Sequence, residues 1–105
     1  MGYITVFVTC PDKDVGKKIA KSLVENKLAA CVNIIDGLSS VYYWQGKIEE
    51  DNEVLLIIKT REDHYEKLEK FIKEHHPYTV PEIIAMPVIK GSQDYLNWID
   101  ETLSR

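Results

Sequence analysis

Two adjacent imidazoles, two prolines, a phenol and a carboxylate fall within the single stretch His75-His76-Pro77-Tyr78-Thr79-Val80-Pro81-Glu82. Imidazole and thiolate both suit copper or zinc, and nitrogen-rich sites favour Cu(II) over neighbouring divalent metals. His75 and His76 are therefore candidate metal ligands, with Cys10 as a candidate third. Successive residues of a helix point about 100° apart, given its 3.6-residue turn. One imidazole then binds an ion while the other caps. The alternative is that both histidines satisfy carbonyls at a helix C-terminus and stack near Tyr78. Pro77 ends any helix near His75, and Pro81 holds Val80 extended, so this corner is stiff.

The remaining reactive groups are few. Cys31 lies among Ala29, Ala30, Val32 and Ile34, which predicts a buried, inert thiol. Cys10, beside Pro11 at a strand end, is expected to be exposed. Glu49, Glu50, Asp51 and Glu53 form an acidic run that collects hard cations weakly or lines a solvated turn. Tyr42, Tyr43 and Trp44 are consecutive aromatics, a concentration that points to a subunit interface. Trp98 is expected to pack the last helix onto a neighbouring surface.

These groups need elements to position them. Tyr3 to Thr9 alternates, with Ile4, Val6 and Val8 on one face, and reads as a strand. Pro11-Asp12-Lys13-Asp14 supplies turn and cap for a helix carrying Val15, Ile19, Leu23 and Val24 at helical spacing. Gly16 marks a close packing partner, and Asn26 fits a left-handed C-terminal cap. Leu28 to Ile35 is a second strand, which bends or bulges over Asp36-Gly37-Leu38-Ser39-Ser40 and continues from Val41 through Ile48. Glu49 to Asn52 is expected to turn the chain, and Glu53 to Thr60 to return it as a more thoroughly buried strand.

Thr60-Arg61-Glu62-Asp63 reads as a capping box opening a helix with Tyr65, Leu68, Phe71 and Ile72 inward. Glu82 to Ile89 is a fourth strand broken by Pro87, and Gly91-Ser92 caps a final helix. The order strand, helix, strand, strand, helix, strand, helix predicts an α+β, ferredoxin-like split βαβ sandwich. It has an extended hairpin between its second and third strands, an additional C-terminal helix, and a single domain over residues 1–105. Right-handed crossovers place the first strand beside the third and fourth, leaving the fourth at an edge where Pro87 is tolerated.

Several segments resemble one family. They are Leu28-Ala29-Ala30-Cys31-Val32-Asn33-Ile34, Ser40 through Ile48, Glu53 through Thr60, His76 through Ile83, and Tyr95-Leu96-Asn97-Trp98. In that order they are similar to the CutA family of divalent-cation tolerance proteins, along essentially the whole chain. The resemblance implies a tight homotrimer of the kind shared with PII-like signalling proteins, and an association with copper or another divalent cation. Its copper ligands fall on His75 and His76 and on a strand-one cysteine. Here that position holds Val8, with Cys10 two residues further on.

The expected function is thus a trimeric, cytoplasmic divalent-cation (copper) tolerance protein. The alternative is a PII-like signalling or scaffolding module, taking a small ligand or partner protein at a subunit boundary near Cys31, Lys59, Tyr78 and Glu82. No hydroxyl or thiol is recognisably paired with a base, so no enzymatic activity and no organic cofactor are expected. A net charge of −4 argues against nucleic-acid binding. The apolar run Val54 to Ile58 falls far short of the ~20 residues of a membrane span. Met1-Gly2 opens like a myristoylation signal, but Val6 stands where Ser or Thr is needed. No secretory signal is read at the N-terminus, and two cysteines make no disulfide framework, so a reducing cytoplasm is expected.

Overall fold

In a computed structural model, which describes residues 2–105, four strands and three α-helices follow one another, with a short 3-10 turn at Glu62–His64. They are β1 (Tyr3–Cys10), α1 (Lys13–Glu25), β2 (Cys31–Trp44), β3 (Lys47–Arg61), α2 (Tyr65–His75), β4 (Ile83–Val88) and α3 (Gln93–Leu103). Met1, on which the expectation of no N-terminal signal partly rests, lies outside the described residues. The sheet order is β2-β3-β1-β4 with every pair antiparallel, the ferredoxin-like arrangement. β4 is an edge, and Pro87 sits opposite Ile4 with no neighbour beyond it.

One sheet face makes the core. Ile4, Val6, Val8 and Cys10 alternate inward on β1, as do Val54, Leu56 and Ile58 on β3. Against them lie Ile19 and Leu23 of α1 and Leu68 and Ile72 of α2. Gly16 permits the approach of α1, since a β-carbon there would stand 3.1 Å from Val54 Cγ2. Asp12 caps α1 by accepting from the Val15 amide at 2.9 Å, and Ser92 caps α3 by accepting from Tyr95 at 3.3 Å.

α3 closes a smaller cluster with Ile99 and Leu103 against Ala30 and Tyr3. Arg61 fastens it there by donating to both Asp100 and Asp63, while the Tyr3 hydroxyl also donates to Asp100. The guanidinium of Arg61 is the main reason Asp63 titrates as low as about 2.

Three local expectations are corrected. The hairpin turns at Gln45-Gly46, with φ of 48° and 82°, and not at Glu49 to Asn52. Positive φ at both turn residues matches the twist of the flanking strands, and Gly46 supplies one of them without strain. Thr60 caps no helix. It is buried, its hydroxyl donates to Leu28 O at 2.8 Å, and β3 continues to Arg61 opposite Tyr3. At the end of α1 the left-handed residue is Lys27, at φ 57°, in place of Asn26.

The hairpin gives the molecule its 45 Å long axis, against 25 and 23 Å across. A bulge interrupts it, where Asp36 and Gly37 on β2 oppose only Val54 on β3. One extra residue reverses which side chains share a face. Ile35 pairs with Leu55 before the bulge, whereas Leu38 pairs with Glu53 and Tyr42 with Glu49 after it. Tyr42 and Trp44 are thereby turned to the same face as Leu55 and Ile57, opposite α1 and α2.

Candidate functional site

The corner after α2 is built from its two histidines. His75 ends the helix, with Nδ1 2.7 Å from Phe71 O and its ring stacked on the Phe71 ring at 4.0 Å. A carbonyl only accepts, so Nδ1 carries the hydrogen, and the residue is exposed with no hydrogen bond at Nε2 among the described residues. His76 turns extended and is buried. Its Nε2 donates to Thr9 O at 2.8 Å, and its Nδ1 accepts from the Tyr78 amide at 3.1 Å. Both nitrogens are spent on backbone, and the imidazole staples the corner to the end of β1.

Cys10 is not exposed, contrary to expectation, because the inward alternation of β1 persists to its last residue. Burial first, then the charges of Glu53 and Asp12, pushes its thiol up to about 12, so a thiolate ligand or nucleophile is disfavoured. His75, His76 and Cys10 do not form a ligand set within the chain. Among the described residues, no group of three or more His, Cys, Asp or Glu side chains is placed to hold an ion.

The corner also walls a groove. A cavity of about 600 Å³ opens between the hairpin and the corner, lined by Tyr42 and Trp44 of β2, Glu53 of β3, Thr9, and Pro77 to Val80 with Glu82. Glu53 is only 7% exposed, and the Tyr78 hydroxyl donates to its Oε2 at 2.7 Å. Burial and that carboxylate raise the Tyr78 pKa, so its phenol stays a donor. Tyr42 donates to Asp51 in the same way, and the bond pushes its phenol up to about 12. The expectation of a solvated acidic turn is corrected at Glu53, which is buried at the floor of a groove.

Of the four residues expected to line one pocket, Tyr78 and Glu82 do so here. Cys31 and Lys59 sit directly opposite each other toward the far end of the hairpin strands, beside Asn33, which accepts from the Lys59 ammonium. Cys31 is part-exposed, not fully buried, because β2 is an edge strand and Ala29 and Ala30 take the interior positions. Tyr43 is 72% exposed, and Tyr42, Trp44 and Trp98 are each about 40% exposed. Trp98 lies tilted against Tyr95 of its own helix, with ring centroids 5.4 Å apart and the planes 36° from parallel.

Sequence reasoning passed over the second sheet face. Phe7, Leu55 and Ile57 lie on it part-buried, with Ile84, Met86 and Ile35 exposed at its edges. The signal was present, since Val54 through Ile58 is apolar at every position and so must cover both faces of β3, while α1 and α2 cover one.

Residues 4–102 match the family model described as CutA1 divalent ion tolerance protein. The divalent-cation tolerance protein CutA of Thermus thermophilus is 51% identical over 96 residues, covering 91% of this chain and 93% of that protein. The chloroplastic protein CutA of Arabidopsis thaliana is 52% identical over 96 residues, of which this chain spans 53% of the length. Among solved structures, CutA of Xylella fastidiosa superposes with a TM-score of 0.95 at 40% identity, over 98% of this chain and 99% of that one.

Proposed function

The chain belongs to the CutA1 divalent ion tolerance family, and from that premise we propose that it is a non-enzymatic binding protein of divalent-cation tolerance, working as a cytoplasmic homotrimer. The carrying observation is the second sheet face, where Phe7, Leu55, Ile57, Ile84 and Met86 form one apolar patch on the side away from α1 and α2. A monomer rarely leaves so continuous an apolar surface in water. Copies of this chain present matching surfaces, and the stoichiometry of three is taken from the likeness to the family. Two unpaired thiols, Cys10 and Cys31, favour a reducing compartment. Light scattering is expected to give three times the chain mass of 12.1 kDa. A monomer would remove the reading.

Copper fits the chain poorly as a resident ion. His76 has both nitrogens engaged and Cys10 is sealed in the core, which leaves the Nε2 of the exposed His75. One imidazole is short of the three or four ligands of a specific site. Copper held there draws its other ligands from outside the chain. Calorimetric titration with Cu(II) should accordingly show weak binding that His75→Ala removes and Cys10→Ser leaves unchanged. The opposite pattern would move the site to Cys10.

The second reading, a PII-like module for a small ligand or partner, is favoured by the groove between hairpin and corner. Its volume of about 600 Å³ lies within the range of small-molecule sites.

A further inference from the structure

The chemistry lining the groove is one-sided. Glu53 and Glu82 contribute carboxylates, and no lysine, arginine or histidine lines it. Glu53 is 7% exposed, yet among the described residues no cationic side chain forms an ion pair with it. Its partner is the hydroxyl of Tyr78, a neutral donor to one of its two oxygens. Burying a carboxylate without a countercharge is costly, and the usual remedies are a paired cation or more hydrogen bonds. Here the protein supplies one bond and leaves the charge unmatched.

The walls complete the pattern. Tyr42 and Tyr78 have their hydroxyl hydrogens committed to Asp51 and Glu53, so each phenol has no donor left for a ligand. What they leave for a ligand is their aromatic rings, together with the indole of Trp44. Aromatic faces attract cations through the ring quadrupole, most strongly at tryptophan. An anion entering this space would meet two carboxylates and no positive charge. A bare divalent metal ion is poorly served as well, since the acidic groups do not converge into a set of three.

We propose that the groove binds a small organic cation, a primary amine or guanidinium carried on an apolar or aromatic body. Its charged head would sit on the Glu53 carboxylate, with Glu82 at the mouth, and its body against Tyr42 and Trp44. The proposal rests on the small-ligand reading of the groove and not on the trimer.

Titration calorimetry on the full chain tests it with three probes sharing one ring: benzylamine, benzyl alcohol and phenylacetate. Saturable binding of benzylamine is expected, with benzyl alcohol and phenylacetate at least tenfold weaker. Glu53→Gln keeps an oxygen to accept from Tyr78 while removing the charge, and should weaken benzylamine about tenfold or more. Equal binding of amine and alcohol, failure of all three probes to bind, or unchanged affinity in Glu53→Gln would each overturn the proposal. Should Glu53→Gln not fold, the charge series on the wild type decides alone. Light scattering on the same samples reads the assembly separately, so loss of the trimer with benzylamine binding intact counts only against the subunit interface.

Discussion

Replacing Ile57 by lysine is expected to yield a folded monomer of 12.1 kDa. Ile57 lies on β3, between Phe7 of β1 and Asn33 of β2, and its side chain points away from α1 and α2. In a lone chain a lysine there can run its methylenes along the apolar face and put its ammonium in water. The cost to the fold is then small, within about 1 kcal/mol, as for surface substitutions generally. Buried between subunits without a countercharge, the same ammonium would cost on the order of several kcal/mol, enough to break the complex. The neighbouring residue provides the contrast. Leu56 has no exposed surface and faces the helices, so Leu56→Lys should abolish folding itself. Light scattering with circular dichroism separates the cases. A folded Ile57→Lys trimer would show that this face is not where the copies meet.

How much of this was legible in sequence depends on the range of each signal. The β1 core residues Ile4, Val6 and Val8 were readable because a strand with one buried face writes its alternation locally. The order of elements, and with it the sheet, followed from the same periodicities. The hairpin was misplaced because Glu49 to Asn52 has the composition of a turn, while the chain reverses where Gln45 and Gly46 accept positive φ. Thr60 carries a capping pattern, but its hydroxyl has a better use at Leu28 O, 32 positions away. Glu53 looked solvated for the same reason, its partner Tyr78 lying 25 residues further on. The bulge at Asp36-Gly37 decided more than any of these. It turned Tyr42 and Trp44 from one face to the other, and so placed the groove beside the open sheet face. A window of alternating residues cannot show a change of parity whose size depends on pairing with β3.

His76→Ala should lower stability by about 2 to 4 kcal/mol, since it strands the buried Thr9 carbonyl at about 1 to 3 kcal/mol, costs less at the part-buried Tyr78 amide, and leaves a void. Thr9 O loses its donor, and the Tyr78 amide loses its acceptor. In a domain of this size that corresponds to roughly 8 to 30 °C in Tm, at about 4 to 8 °C per kcal/mol. His75→Ala is the comparison within the same dipeptide. Its imidazole is exposed, bonded to one helix carbonyl and stacked on Phe71, so the loss should stay near 1 kcal/mol. His76→Gln restores one donor and one acceptor on a flexible chain and should recover part of the difference. Equal destabilisation by the two alanine substitutions, measured by thermal and urea unfolding, would sink the assignment of His76 as the staple. The consequence reaches the groove, because the bond from the Tyr78 amide to His76 fixes the residue whose hydroxyl holds Glu53. A looser corner lets Tyr78 swing from that carboxylate, so His76→Gln should weaken benzylamine binding even though its imidazole never touches the ligand.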